Sequence, residues 1–380
     1  MKLERVDAAD PRVVLRALRG AVLGAGPAIA IGAEGGALPD EVPAGTALVV
    51  TTSGSTGVPK SVVLSRNALT AGALATAARV GEGAWLLALP AGYVAGAQVL
   101  VRSLVSGHEP AILAGRFSPE AFAAAAASMA SSIGGVPTPT FTSLVPVQVQ
   151  RLLDAAERDD EVLAAVRSFA AVLVGGQALA PVIGHRAAEL GMRLVRTYGS
   201  TETSGGCVYD GVPLDATRVR IIADEVQLSG PTLADGYLGD EAATSAAFPR
   251  DEDGTRWYRT GDTGEVVDGV LRVLGRRDNV VVSGGVNISL DRVERAVRSI
   301  PGLESAVVVG VPDSEWGEVP VLVAASDTDA AALWERVREV VASEVGRHAR
   351  PHRLVLVEEV PLLVSGKPDR VALRRHAASA

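Results

Sequence analysis

The apolar positions fall into short runs that alternate with longer, more mixed segments. Residues 11–22 read as a short helix. Ala47-Leu48-Val49-Val50 reads as a buried strand that runs into a loop of Gly, Ser and Thr. Residues 67–78 are Ala-rich and helical. Residues 85–89 are strand-like and stop at Pro90, and residues 99–105 form an apolar helix ending near Gly107. Ala111-Ile112-Leu113 is another strand, and Ser118-Pro119-Glu120 opens a helix, with Ser118 as N-cap and Pro119 in its first turn. Residues 171–174 form a strand that meets Gly175-Gly176, followed by a helix over 181–190. Short apolar strands alternating with helices predict α/β units around a mainly parallel sheet. Ligand loops in such sheets lie at the carboxyl ends of strands, where both Gly-rich loops fall.

From about residue 217 the pattern changes to strands without intervening helices: 219–222, 226–228, 257–259, 264–267 and 270–274, with Asp268-Gly269 as a hairpin turn. A small α+β portion follows, with a helix at 290–299, a strand at 305–310, a helix at 329–345 and a strand at 353–357. The turn-rich, charged stretch Gly275-Arg276-Arg277-Asp278-Asn279 separates the two regions. The expected architecture is therefore α/β: a large N-terminal domain (1–276) of mixed sheets with flanking helices, and a small α+β C-terminal domain (277–380).

With 380 residues, about half of them apolar, the chain can bury a sizeable core. The net charge is −8, and no Lys/Arg cluster suggests a nucleic-acid partner or a basic membrane patch. Cys207 is the sole cysteine, which excludes an intrachain disulfide and a Cys-cluster metal site. The charged N-terminus and the short, interrupted apolar runs predict no signal segment and no membrane insertion, and a cytoplasmic location is the simplest expectation. Among 36 Lys and Arg residues only Lys2, Lys60 and Lys367 are lysine. In a chain that writes Arg wherever a surface cation will do, a retained lysine can mark a site that needs a compact point charge; Lys2 reads as chance, and for Lys60 and Lys367 the surrounding residues decide otherwise.

Lys60 closes the string Thr51-Thr52-Ser53-Gly54-Ser55-Thr56-Gly57-Val58-Pro59-Lys60. Glycines let backbone N–H groups approach an anion, hydroxyls add donors and lysine adds charge, so the string reads as a phosphate cradle. It lacks the spacing of a Walker A loop.

This string resembles the phosphate loop of the acyl-adenylate-forming superfamily, which includes acyl- and aryl-CoA ligases, peptide-synthetase adenylation domains and luciferases. Further segments resemble that superfamily in order. In Tyr198-Gly199-Ser200-Thr201-Glu202-Thr203 the resemblance implies Tyr198 and Gly199 beside adenine, Thr201 at the phosphates and Glu202 on Mg²⁺. Gly175-Gly176-Gln177 resembles the turn beside adenine, with a departure at Gln177. In Tyr258-Arg259-Thr260-Gly261-Asp262, Asp262 would accept the ribose hydroxyls. In Gly275-Arg276-Arg277-Asp278, Arg276 would reach ribose or phosphate and Asp278 would be the hinge of a mobile small domain. Ser283-Gly284-Gly285 would edge the pantetheine tunnel for CoA. Pro361 to Lys367 resembles the C-terminal motif in which Lys367 is the catalytic lysine. By this resemblance Thr52, Ser53, Gly54, Ser55, Thr56 and Gly57, with Lys60, hold the β- and γ-phosphates of ATP. The resemblance spans about residues 47–370.

The implied chemistry has a physical logic. One anion, a carboxylate, must attack another, the α-phosphate, so positioned cations must screen repulsion and stabilise departing pyrophosphate. A thiol then attacks the acyl-adenylate after the small domain has swung.

For the acid, residues 90–104, 143–146 and 203–211 most resemble the o-succinylbenzoate–CoA ligases of menaquinone biosynthesis. Arg102, a lone cation in an apolar helix, is the candidate partner of the substrate's second carboxylate. Tyr93, Ser204 and Gly205 are further candidates for the acyl pocket. Relatives commonly carry histidine where this chain has Gly92-Tyr93. Cys207, between glycine neighbours and apolar residues, reads as pocket lining. The expected partners are an aromatic carboxylic acid and CoA, with a homodimer left open. Three alternatives stand: a ligase of the same superfamily for another aryl or medium-chain acid, an adenylation domain loading a carrier protein, and a non-enzymatic AMP-binding protein.

Overall fold

The computed structural model describes residues 1–32, 38–52, 59–129, 132, 133, 135–325 and 332–380. Ser53, Gly54, Ser55, Thr56 and Gly57, expected in the phosphate cradle, lie outside the described residues, as does the start of the helix expected at 329.

The large N-terminal domain contains three principal sheets. In the first, Leu3–Arg5, Ala28–Gly32 and Thr46–Thr52 run parallel, and Lys60–Ser65 and Gly236–Tyr237 continue it antiparallel. The strand Lys60–Ser65 is absent from the sequence reading, which took Lys60 only as the end of a loop. It folds back on Thr46–Thr52 with Thr52 opposite Lys60, and the Thr52 hydroxyl donates to the Lys60 carbonyl at 3.3 Å. The ends of the phosphate string are thus clamped side by side.

The second sheet has seven strands. Leu194–Ser200, Ala171–Val174, Thr140–Leu144, Ala84–Leu87 and Ala111–Ile112 are parallel, and Gly205–Tyr209 and Val212–Pro213 extend it antiparallel. Side chains on a strand alternate faces, and both faces here are covered. Trp85 and Leu87 join a core with Leu18, Leu48, Leu69 and Leu100, which brings the helices Pro11–Leu23, Arg66–Val80 and Val94–Ser106 together with strands of the first two sheets. Leu86, Val172 and Val174 face the opposite way, toward Phe122, Leu152 and Ile183 on the outer helices and Phe169 just beyond one. Two helix boundaries follow from sequence as expected. Ser118 caps Pro119–Ala127 by accepting from the Ala121 amide at 3.1 Å, and Gly107, at φ 73°, ends Val94–Ser106.

The third sheet is antiparallel: Arg218–Ile222, Glu225–Ser229, Tyr258–Val267 and Val270–Arg276. The segments expected at 257–259 and 264–267 are one strand, with its register shifted between Thr263 and Gly264. That irregularity falls just after Asp262 in the Thr-Gly-Asp motif. Asp268 and Gly269 both take positive φ, as a two-residue hairpin turn requires.

A fourth sheet forms the smaller C-terminal domain. Its strands Val286–Ser289, Val280–Ser283, Gly317–Ala325 and Val307–Asp313 are antiparallel, and Arg353–Val357 joins parallel to Gly317–Ala325. Helices Leu290–Arg298, Trp334–Glu344 and Arg370–Ser379 cover it. The helix expected over 329–345 is described from Trp334 to Glu344. No helix among the described residues is long and apolar enough to cross a membrane.

Candidate active site

The centre of the site is the turn after Leu194–Ser200. Gly199 lies so close to the neighbouring strand that a Cβ there would collide with the Gly205 carbonyl. A single 3-10 turn, Thr201–Thr203, follows. The Thr203 hydroxyl accepts from the Ser200 amide at 2.8 Å and donates to the Gly205 carbonyl at 2.7 Å, which fixes the turn from inside. The Ala234 amide donates to the Glu202 carbonyl at 2.8 Å. The Glu202 carboxylate accepts the Tyr237 hydroxyl on Oε1 at 3.0 Å.

Beside this turn a cleft is lined by Tyr198, Gly199, Ser200, Tyr258, Asp262 and Arg276. The Tyr198 hydroxyl donates to Asp262 Oδ2 at 2.6 Å, and Arg276 Nη1 reaches Asp262 Oδ1 at 3.4 Å and the Thr260 carbonyl at 3.0 Å. Burial raises the Asp262 carboxyl above its ordinary range, while Tyr198 and Arg276 pull it down. Burial, with Asp262 adjoining, pushes the Tyr198 phenol far up, so it remains a donor. Arg276 grips Asp278 through Nε and Nη2, both at 3.0 Å. On the far side of this segment Asp291 accepts the Arg276 amide and the Asn279 side chain, each at 2.7 Å. Sequence reasoning did not single out Asp291.

Lys367 comes to the same place from the C-terminal domain. It lies against Gly176, where a Cβ would be 3.7 Å from Lys367 Cε. The Gln177 amide donates to the Gly366 carbonyl at 3.3 Å. Burial lowers the Lys367 ammonium pKa from its ordinary value of 10.5, and Glu202 and Asp262 act in the opposite direction. Lys60 enters from the first sheet, its Nζ 4.9 Å from the Tyr237 ring centroid. The fold thus collects Lys60, Glu202, Asp262, Arg276 and Lys367, from well-separated parts of the sequence, around the turn at 198–203.

The acyl-side candidates are distributed less simply. Arg102 is 7% exposed. Its Nη1 donates to Ser143 Oγ and its Nη2 to the Tyr209 hydroxyl, both at 3.3 Å, and its guanidinium lies 5.0 Å over the Trp85 ring. Its Nε has no partner, and no carboxylate pairs with it among the described residues. Gln98, one helical turn earlier on the same face, leaves its buried Oε1 unpartnered and packs beneath Gly205. Gln98 was missed by sequence reasoning, although a second polar residue four positions before Arg102 in an apolar helix was visible. The Ser204 hydroxyl is committed to the Thr232 carbonyl at 2.9 Å. Tyr93 is 37% exposed at the start of the helix and makes no capping bond through its side chain.

Two further groups of candidates lie outside this cleft. Gly284 and Gly285 form an exposed turn between Val280–Ser283 and Val286–Ser289, with Gly284 against Trp316. Their positive φ values suffice to require glycine there. Cys207 does not line the cleft. It is 1% exposed in an apolar cluster with Val226, Leu228 and Leu271, where burial pushes its thiol up to about 12.

A divalent ion is implied by the phosphate chemistry. Among the described residues no group of three or more His, Cys, Asp or Glu side chains could hold a metal alone. Glu202 offers one further carboxylate oxygen beside the Tyr237 bond. That fits Mg²⁺, which is usually held by one or two carboxylates plus substrate phosphates.

The chain is similar to known proteins over most of its length. The family described as AMP-binding enzyme matches residues 7–238, and the AMP-binding enzyme C-terminal domain matches residues 292–367. A probable 2-succinylbenzoate–CoA ligase of Mycobacterium tuberculosis is 38% identical over 340 residues, covering 87% of this chain and 85% of its own. The 2-succinylbenzoate–CoA ligase of Listeria monocytogenes is 31% identical over 351 residues, covering 87% and 70%. Among solved structures, an E. coli MenE variant with bound OSB-AMS superposes with a TM-score of 0.71 at 29% identity, covering 92% of this chain and 72% of that one. The o-succinylbenzoate CoA synthetase (MenE) of Bacillus subtilis, in complex with the acyl-adenylate intermediate OSB-AMP, has a TM-score of 0.70 at 26% identity, covering 87% and 69%. Since the family match extends over more than half of the sequence and a relative above 30% identity spans most of it, the chain belongs to the AMP-binding enzyme family.

Proposed function

We propose that this enzyme joins 2-succinylbenzoate to coenzyme A at the expense of ATP, releasing AMP and pyrophosphate, as a step of menaquinone biosynthesis. The observation that carries the choice of acid is Arg102. A buried guanidinium without a counter-ion is costly, and hydrogen bonds from two hydroxyls do not neutralise it. A substrate with two carboxylates can present one to the α-phosphate and the other toward Arg102. The names of the relatives agree with that choice.

In the first half-reaction a carboxylate oxygen bonds to the α-phosphorus and the bond to pyrophosphate breaks. Lys367, held against Gly176, screens the repulsion between carboxylate and α-phosphate. Lys60 holds the departing pyrophosphate, with Thr201 and the string at Thr52–Gly57. Tyr198 and Asp262 orient the nucleoside, and Arg276 reaches ribose or phosphate. Mg²⁺, held by Glu202, supplies further neutralisation of phosphate oxygens when bound.

In the second half-reaction the thiol sulfur of CoA attacks the acyl carbon, its proton leaves to solvent and AMP departs. For this step the small domain, residues 277–380, turns about Asp278, withdraws Lys367 and carries Gly284-Gly285 to the site. The support is geometric: Arg276 and Asp278 lie between the third sheet and the fourth, and the Gly-Gly turn is exposed beside Trp316 while Lys367 lies against Gly176. Such closure steps commonly divide two chemistries in time.

The test is a panel of acids with ATP and CoA, followed by pyrophosphate release and thioester formation. A preference for 2-succinylbenzoate of tenfold or more over benzoate, 4-phenylbutyrate and hexanoate is expected. Equal or better turnover of a monoacid overturns the choice of substrate.

A further inference from the structure

Tyr237 touches both the phosphate lysine and the metal carboxylate. Its ring lies under Lys60 Nζ, 4.9 Å from the centroid, and its hydroxyl donates to Glu202 Oε1 at 3.0 Å. These two partners come from different elements, the strand Lys60–Ser65 and the 3-10 turn Thr201–Thr203, and lie 142 positions apart in sequence. No motif in the sequence reading included Tyr237.

The backbone holds this residue on both sides. The short strand Gly236–Tyr237 pairs with Lys60–Ser65, placing Tyr237 opposite Val62, and the Leu238 amide donates to the Ser61 carbonyl at 2.8 Å. On the other flank the Tyr237 amide donates to Thr244 Oγ1 at 2.9 Å. The ring packs on Phe248, with centroids 6.0 Å apart, and Phe248 packs on Tyr258 at 5.2 Å. The Ala234 amide holds the Glu202 carbonyl, so the chain that carries Tyr237 also fixes the backbone of Glu202.

A ring set this firmly can orient two mobile side chains. The electron-rich face attracts the ammonium of Lys60 and limits where it can sit. The hydroxyl takes one lone-pair direction of Oε1, so the carboxylate cannot rotate freely and presents its other oxygen outward. A hydrogen bond that orients a metal-ligating carboxylate tunes affinity without touching the metal.

We propose that Tyr237 is a positioning residue that sets Lys60 and Glu202 as one unit, coupling the phosphate clamp to the Mg²⁺ carboxylate. The proposal rests on the functional reading above, in that Lys60 and Glu202 are taken as phosphate and metal groups.

The two contacts separate by substitution. Tyr237→Phe keeps the ring beneath Lys60 and removes the hydroxyl from Glu202; Tyr237→Leu removes both. The readout is calorimetric binding of α,β-methylene-ATP, whose methylene bridge prevents transfer of its adenylyl group, in Mg²⁺ and in EDTA. For the parent enzyme Mg²⁺ tightens nucleotide binding. In Tyr237→Phe this Mg²⁺-dependent gain falls by about tenfold, while binding in EDTA stays at the parent value. In Tyr237→Leu binding in EDTA also weakens, by about two- to fivefold. The proposal is overturned if Tyr237→Phe matches the parent in both media, or weakens equally in both, as general loosening of the fold would produce. Should Tyr237→Leu not fold, the Phe variant decides alone. A parent enzyme that shows this pattern but prefers another acid overturns the substrate reading and leaves the role of Tyr237 standing. A parent whose nucleotide binding ignores Mg²⁺ overturns both the metal role of Glu202 and this coupling.

Discussion

The side-chain amide of Gln177 donates to the backbone carbonyl of Gly366, at 3.3 Å, immediately before Lys367 in the chain. Gln177 is also the point where the Gly-Gly turn departs from the pattern of its superfamily. The departure has a structural use: it ties the lysine loop of the small domain to the turn on which Lys367 rests. Replacing Gln177 by Ala removes one neutral hydrogen bond, worth about 0.5–1.5 kcal/mol. Adenylation is expected to slow by about two- to tenfold, and thioester formation from supplied acyl-adenylate to be unchanged. Stopped-flow or quench measurements of the two half-reactions check this.

The lowered pKa of Lys367 sets a pH dependence. Bridging two anions requires the ammonium, so activity is lost as pH rises through the pKa. Burial lowers that pKa, so the basic limb of kcat/KM for adenylation should lie below 10.5. In the substrate complex the carboxylate and phosphate favour the ammonium, so the limb in kcat should move upward. On the proposed withdrawal of Lys367 for the second step, thioester formation should lack this limb. Steady-state profiles for each half-reaction between pH 7 and about 10.5 give the comparison.

Arg102 should discriminate between acids. In Arg102→Gln the charge is gone and a polar side chain remains to satisfy Ser143 and Tyr209. Loss of a charge-assisted contact of about 1.5–3 kcal/mol predicts a fall in kcat/KM for 2-succinylbenzoate of about 10- to 100-fold. The KM for ATP and turnover of benzoate should change little. A parallel fall for both acids would show that Arg102 supports the fold rather than the second carboxylate.

Cys207 should be inert in the folded enzyme. With its thiol pushed up to about 12 and its side chain 1% exposed, little thiolate forms and little reagent reaches it. Thiol titration with a disulfide reagent at pH 8 should find no reactive group in native enzyme and one after denaturation. ATP and acid should not alter this, because Cys207 lies behind the cleft rather than in it.

How legible this was depended on how local each signal is. Ser118-Pro119 and Asp268-Gly269 specify their structures within two or three residues, and the structure has the cap and the turn there. The strand Lys60–Ser65 was hidden because its partner across the phosphate string, not its own pattern, reveals it. The ordered motifs pointed to Tyr198, Glu202, Asp262, Arg276 and Lys367, and the fold assembles these around one turn. What no motif contained were the residues whose roles exist only after folding. Tyr237 matters because a strand and a 3-10 turn bring Lys60 and Glu202 to it. Asp291 matters because the helix Leu290–Arg298 turns its first residues toward Arg276 and Asn279, and Gln98 because Gly205 packs over it. The exposed Gly284-Gly285 turn shows a different limit. A sequence motif says which residues serve a reaction, whereas one arrangement of two domains can bring only some of them to the site.

The most direct measurement of the central claim is to time both half-reactions in Lys367→Ala. The substitution removes a cation that reaches the site from the C-terminal domain. Acyl-adenylate formation from 2-succinylbenzoate and ATP is expected to fall by about 10²–10³, the usual consequence of removing one positioned donor. Thioester formation from supplied acyl-adenylate and CoA is expected to stay within about twofold of the parent enzyme, against that 10²–10³ loss. Adenylation at the parental rate, or an equal loss in both steps, would contradict the assignment of Lys367 to the first reaction alone.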